Sequence, residues 1–417
     1  MKRILLPLFV TLIITNHTQA QVINDTVSVG ASYANQKWYS LQNDEQGSAA
    51  KNNWDIAFDV SGFGSSIHIN SIIGTLLWKY PTADTSGWLT LDTTGIAAWP
   101  KLYNSDTSWS IGAFEKGMNL SNSFDLGWGV YNPTNHIVTG DSLYVIKLSS
   151  GAYKKLLIES LAGGIYSFKY ADLNGANLQN ALLTKSTYAG KNFGYYSLQT
   201  DLALDREPTS TNWDLLFTQY TTFIPSAYTV SGILANVGVK VAKANNIDDV
   251  TTYENWSAQT FVTPINEIGY DWKAFTGTAY AIEDSLIYFV KPNAGDIWKV
   301  IPTGFGGGST GNYMFSKELL SSVGIKDEAK NNTALLSVYP NPTVGGNTTI
   351  IYDFEKSVSS AVLNVYDLSG KAVYSENLNN NTGLHTHNLI TSVLKSGMYF
   401  VTIEFEGEVI QQKLIIQ

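Results

Sequence analysis

The chain contains no cysteine. Disulfide frameworks, metal–thiolate sites and thiol nucleophiles are therefore excluded, and stability must come from core burial. Beyond the first residues, no stretch approaches the ~18 unbroken apolar residues of a membrane-spanning helix, so no transmembrane segment is expected in the mature chain. Charge is scarce, at 15% of residues, with a formal net charge of −9 and no basic cluster. That balance argues against nucleic acid and anionic membrane surfaces as main partners. With five His and four Met in 417 residues, few side chains remain that could coordinate low-spin iron.

Aromatic residues and glycine are plentiful: 24 Tyr, 17 Phe, 11 Trp and 35 Gly. With many Thr and Ser, they favour short strands and turns, and the expected fold class is all-β. Met1-Lys2-Arg3, the apolar run Ile4 to Ile14 and the small residues of Thr18-Gln19-Ala20 form the pattern of a secretory signal peptide cleaved after Ala20.

A short signature occurs twice. Trp38-Tyr39-Ser40-Leu41 precedes Asn53-Trp54-Asp55-Ile56-Ala57-Phe58, and Tyr195-Tyr196-Ser197-Leu198 precedes Asn212-Trp213-Asp214-Leu215-Leu216-Phe217. Further landmarks recur in the same order: Trp109-Ser110 and Trp256-Ser257, Trp128 and Trp272, Asp141-Ser142-Leu143 and Asp284-Ser285-Leu286, Tyr166 and Tyr313. Tandem duplication accounts for this order, and the period is too long for a solenoid repeat. All Trp residues fall between 38 and 298, and the polar stretch Ser321 to Asn332 reads as a linker. The organisation expected is a signal peptide over 1–20, β domains over 21–185 and 186–322, a linker over 323–334 and a small β-sandwich over 335–417. Residues 171–184 are the one candidate helix among the strands. Trp54 and Trp213, in apolar strands, are expected in the core. His68 alternates with Ile67 and Ile69 and is expected to face solvent.

The last segment carries Tyr339-Pro340-Asn341-Pro342, Val365-Tyr366-Asp367-Leu368-Ser369-Gly370-Lys371, Leu394 to Tyr399 with Gly397, and Lys413-Leu414-Ile415-Ile416 at the end. These motifs resemble the type A C-terminal sorting domain of the type IX secretion system, an Ig-like β-sandwich. The resemblance implies a Bacteroidota-type bacterium, the type IX machinery as a partner, and an extracellular or outer-membrane-surface location. The motif residues it marks are Pro340, Asn341, Pro342, Asp367, Gly370 and Gly397.

The two preceding halves resemble the HmuY family. The residues carrying the likeness are the Tyr-Ser-Leu and Asn-Trp-Asp elements and the later strands holding Lys147 and Lys291. The resemblance implies two tandem all-β domains and a binding role without catalysis. Some HmuY-like proteins grip haem iron between two His or two Met side chains, so haem is a candidate ligand. The first half offers His68, Met118 and His136, and the second only Met314. Met118 and His136 lie in loop sequence, where a ligand could be reached.

Exposed rings on a β scaffold offer an alternative, a surface adhesion or glycan-binding protein. Trp78, Trp88 and Trp99 lie in loop-like sequence and are its candidate platforms. Gly307-Gly308-Ser309-Thr310-Gly311 fits G-x-S-x-G, a motif that needs a strand–helix setting with an acid and a His following; the next His residues, His385 and His387, fall in the last segment, and the stretch reads as a Gly-rich turn. His385-Thr386-His387 lacks a third ligand for a metal.

Overall fold

The computed structural model describes residues 21–321, 334–344, 346–354, 356–367, 370–406 and 408–417. The residues expected as a signal peptide, 1–20, and all but the last of those expected as a linker, 323–334, lie outside the described residues; Ala334 already opens the strand Ala334–Tyr339. The described chain is all-β: strands in antiparallel ladders, short 3-10 turns and a single four-residue helix, Gly307–Thr310. It divides into two compact units, 1–323 and 324–417.

In the first unit, strand alternation sorts side chains between two apolar cores. Ile56 and Phe58 point into one core with Trp128, Tyr166 and Tyr196. Leu215 and Phe217 point into the other with Trp272, Tyr313 and Tyr39. Each core lies between two sheets, as antiparallel sheets with one apolar face require. In the first lobe one sheet contains, in order, Gln179–Thr184, Ile165–Asp172, Tyr153–Ala162, Leu143–Lys147 and Leu76–Lys79. In the second lobe the matching order is Ile23–Ser28, Asn312–Ser321, Ile297–Phe305, Ile287–Lys291 and Lys240–Ala244. The other sheet has four strands in each lobe. It runs Leu202–Leu204, Phe193–Ser197, Ile56–Asp59, Ile67–Ile69 in the first, and Asp44–Ala50, Asn35–Ser40, Leu215–Phe223, Ala227–Ala235 in the second.

The likeness of the two lobes extends to ring geometry. Trp128 meets Tyr166 at 6.3 Å and 48°, and Trp272 meets Tyr313 at 6.2 Å and 49°. Tyr166 donates its hydroxyl to the carbonyl of Asp59 and Tyr313 to that of Thr218.

The lobes are not divided at residue 185. The strand Asn35–Ser40 pairs with the strand that follows Trp213, and Phe193–Ser197 pairs with the strand that follows Trp54. The first lobe is therefore continuous, from about Trp54 to Leu204. The second is built from 215–321 and closed by the N-terminal strands Ile23–Ser28 and Asn35–Ser40. The reason lies in the aspartates: each Tyr-Ser-Leu turn is held by the Asp of the other copy's signature. The N-terminal segment also packs tightly on the Gly-rich hairpin. Val29 N–H donates to Gly311 O at 3.0 Å, and a Cβ at Gly311 would stand 2.2 Å from Gly30 O. This hairpin bears Ser309, whose hydroxyl donates to Gly306 O within the turn.

Residues 171–184 do not form a helix. Asp172 N–H donates to Ala176 O in a turn with Gly175 at φ +89, and Gln179–Thr184 is a strand. The polar Asn residues and Gly175 favour the turn, and edge pairing to Ile165–Asp172 takes up the rest.

The second unit is a sandwich. A three-stranded sheet (Ala334–Tyr339, Asn347–Phe354, Gly383–Ile390) faces a four-stranded one (Ala372–Asn377, Val362–Tyr366, Gly397–Phe405, Glu408–Ile416). Its core includes Ile350, Tyr352, Phe354, Leu363, Val401 and Leu414.

Candidate ligand-binding cavity

The two four-stranded sheets turn their outer faces toward each other at the junction of the lobes. Because side chains alternate, the faces opposite the cores present Tyr195, Ala57 and His68 from the first lobe, and Trp38, Leu216 and Leu234 from the second. These are register equivalents: Tyr195 opposes Ala57, which opposes His68, while Trp38 opposes Leu216, which opposes Leu234. The second set packs with Trp213, Tyr220, Val230 and Ile265, and all of these but Val230 form one wall of a cavity at the junction. The first set has Ala and His where the second has two Leu, and it forms the facing wall. The cavity, of about 90 Å³ and open to solvent at its mouth, lies between the two faces.

The loop holding Trp109 borders this cavity and is fastened to the second lobe. Trp109 Nε1–H donates to Ala235 O at 2.8 Å, and Ile265 N–H donates to Thr107 O at 3.1 Å. His68 is buried, 5% exposed, and its ring packs edge-on against Phe193 at 4.8 Å. Burial holds its pKa down at about 4, despite the Trp109 carbonyl 2.8 Å from Nε2. A carbonyl can only accept, so Nε2 carries the proton of the neutral ring and Nδ1 keeps its lone pair. The solvent-facing expectation for His68 fails because the outer face of its strand is covered by the other lobe.

Asn70 and Asn236 play matching parts. Asn70 Nδ2 donates to the carbonyls of Lys51 and Trp54, and Asn236 Nδ2 to those of Ser210 and Trp213. Asn236 Oδ1 accepts from Asn192 Nδ2 at 2.7 Å, whereas Asn70 Oδ1 is buried at the cavity with no partner. The indole N–H groups of Trp38, Trp54 and Trp213 and the hydroxyl of Tyr220 are also buried and unpartnered; their residues line the cavity, while the atoms themselves are covered by their neighbours. Buried polar groups are nearly always satisfied, so this concentration marks the site. Trp54 and Trp213 are buried as expected, yet they serve this cavity as well as the packing.

Behind the wall stands Arg206, 9% exposed. Its guanidinium lies over the rings of Tyr195, Trp54 and Trp38, at 4.8, 5.6 and 5.9 Å. It donates to Asn53 Oδ1, Gln36 Oε1 and Ala50 O. Glu207 accepts from the N–H groups of Asn192 and Phe193 and from Tyr195 hydroxyl. Desolvation raises its pKa to about 7 against those bonds.

None of the four residues chosen from the sequence as ligand contacts lines the cavity. His136 sits at φ +59 in an exposed turn and bonds Tyr131 hydroxyl through Nδ1 at 2.6 Å. Met118 is half-buried in the loop after Glu115. Trp78 is 4% exposed in the strand Leu76–Lys79 and stacks on Tyr153, so it offers no free face. Trp88 lies in a 3-10 turn with Lys155 and Lys169 ammonium groups over its ring, at 4.7 and 5.0 Å. Trp99 packs against Tyr80. Among the described residues, no group of three or more His, Asp or Glu is placed to hold a metal ion.

In the second unit the sorting-motif residues are structural ties. Asn341 Oδ1 accepts from Ile415 N–H at 2.9 Å and its Nδ2 donates to Lys413 O, joining the Pro340–Pro342 turn to the last strand. Thr348 hydroxyl donates to Pro340 O. Asp367 Oδ1 accepts from Lys371 N–H across the turn where Gly370 takes φ +80. Gly397 opens the strand Gly397–Phe405. Residues 337–417 match the model of the secretion system C-terminal sorting domain. The tail is the type IX sorting signal. A type IX sorting tail implies handling by that machinery and secretion to the cell surface or the extracellular space. No curated protein matches the chain. Among the described residues, no helix is long and apolar enough to cross a membrane.

Proposed function

We propose that the type IX cargo is a non-enzymatic binding protein whose ligand enters the cavity between the two lobes. The observation that carries this reading is the set of buried, unpartnered polar atoms on one aromatic-lined cavity, from Asn70, Trp38, Trp54, Trp213 and Tyr220. Catalysis has less support, because the lining offers no nucleophile paired with a base. Ser71 hydroxyl is spent on Thr221 and Ser309 lies in the hairpin turn.

The HmuY resemblance, read from the sequence motifs alone, would imply a β scaffold with a binding role. Haem itself fits this cavity poorly. The lining contains one imidazole, no thioether, and no Lys or Arg to pair with propionates. The adhesion reading retains aromatic recognition but moves it from Trp78 and Trp88 to the junction.

The test is to titrate the mature protein with haemin and with a panel of small metabolites and sugars, beside the variant Ala57→Leu/His68→Leu. That variant installs the second lobe's side chains in the first. The reading expects binding that the double variant abolishes while its melting transition is kept. A Soret shift equal in both proteins would move the ligand site elsewhere and count against the cavity.

A further inference from the structure

Resting on the cavity as the ligand site, we infer that its ligand is a neutral, polyhydroxylated ring, the pyranose of a sugar or of a glycan end. Three observations converge on this class.

The first is the pattern of unmet hydrogen bonds. On residues that line the cavity, Asn70 Oδ1 is an unmet acceptor and the Nε1–H groups of Trp38, Trp54 and Trp213 are unmet donors; each is covered by its neighbours, so a ligand would reach them only with a shift of the side chains over them. His68 Nδ1 adds an acceptor by virtue of the proton on Nε2. A hydroxyl both gives and takes a hydrogen bond, so a ring bearing several hydroxyls answers this mixture. A ligand with acceptors alone would leave Asn70 orphaned.

The second is the absence of a positive side chain on the lining to answer an anion. No Lys or Arg lines the cavity, so a carboxylate or phosphate would be buried without a counterion. The two carboxylates on the lining already accept hydrogen bonds. Asp106 Oδ2 takes the hydroxyl of Thr222, and Glu207 takes two backbone N–H groups and Tyr195 hydroxyl. Arg206, stacked over Tyr195, Trp54 and Trp38, already supplies the positive charge on those π faces. An amine ligand would meet that charge across the rings.

The third is shape. Ala57 and His68 stand where the second lobe has Leu216 and Leu234, and the room this leaves lies beside Trp54, Trp109 and Phe193. Flat rings beside a space of this kind suit the C–H face of a pyranose.

The experiment is isothermal calorimetry on the full mature chain with glucose, galactose, mannose and N-acetylglucosamine. Glucuronate and glucosamine serve as charged counterparts. The inference expects saturable heat from at least one of the four neutral sugars. Binding should be at least tenfold weaker for both charged counterparts. It should also be at least tenfold weaker in Ala57→Leu/His68→Leu. Should that variant fail to fold, Trp54→Phe, which keeps a ring but removes the N–H, should weaken the same sugar at least threefold. No saturable heat from any of the four, or equal binding of a charged counterpart, overturns the sugar assignment. Loss of haemin or choline binding in the double variant would then keep the cavity as the site while removing the sugar. Sugar binding that survives both variants puts the site elsewhere and removes both readings.

Discussion

The carboxylate of Asp55 accepts a hydrogen bond at 2.8 Å from the backbone N–H of Leu198, 143 residues further along the chain. Asp214 does the same for Leu41, also at 2.8 Å. Asp55 also takes Ser197 hydroxyl and Gln199 Nε2. Asp55 is buried and Asp214 half-buried, and each fixes the turn that ends the neighbouring Tyr-Ser-Leu strand. The repeated signature is thus one device split into two parts, whose halves meet across the fold and not within a copy.

Asp55→Ala and Asp214→Ala should each lower stability by about 1.5–3 kcal/mol, the usual worth of a hydrogen bond to a charged group. Urea unfolding monitored by Trp fluorescence would show it. Asp55→Asn should lose less, because the amide oxygen still accepts from Leu198. Equal loss in Asn and Ala variants would count against the turn-holding role.

Arg206 should tolerate no conservative replacement. Its planar fork reaches three acceptors and lies against three rings, which a lysine ammonium cannot reproduce. Arg206→Lys and Arg206→Leu should both lose about 2–4 kcal/mol, leaving buried acceptors on Gln36 and Ala50 unpaired. A thermal melt of Arg206→Lys within a degree of the parent would contradict this.

His68 sets an acid limit. Its folded pKa of about 4 lies below the ordinary value of 6.5. The unfolded chain therefore binds the proton first, and stability falls as pH drops from about 6.5 toward 4. A full shift of this size amounts to about 3 kcal/mol. Glu207, raised to about 7, works oppositely, with stability falling as pH rises from 4.5 to about 7. The comparison must therefore be made against His68→Leu, which should remove the acid loss and keep the Glu207 slope. Parallel pH–stability curves for the two proteins would show that His68 is not held neutral.

Much of the scaffold was legible in the sequence. The repeated Trp-Asp strands, the matched Trp128 and Trp272, and the sorting motifs all stand where period and order place them. The closure of the second lobe by Ile23–Ser28 was not legible, because alternation looks the same whether a strand pairs within its copy or with a distant one. For the same reason His68 reads as exposed: Ile67 and Ile69 reveal the core face, and nothing local reveals what covers the other. Trp78 and Trp88 read as loop residues beside Tyr80-Pro81 and Gly87, but a strand and two lysines occupy them. The cavity was hidden because it depends on a difference, Ala57 and His68 against Leu216 and Leu234, seen only once the registers are aligned. Trp109 and Trp256 also part company, since one reaches into the junction and the other packs beside Phe289 in the second lobe's outer cluster.

The central claim is that two copies of one lobe exist and that the chain's own N-terminal segment completes the second. It is tested most directly by expressing 51–204 and 205–321 separately and recording near-ultraviolet circular dichroism of each, with and without a peptide of residues 21–50. The account predicts that 51–204 folds alone, and that 205–321 acquires tertiary signal only when the peptide is added. A 205–321 fragment that folds unaided and ignores the peptide would contradict it.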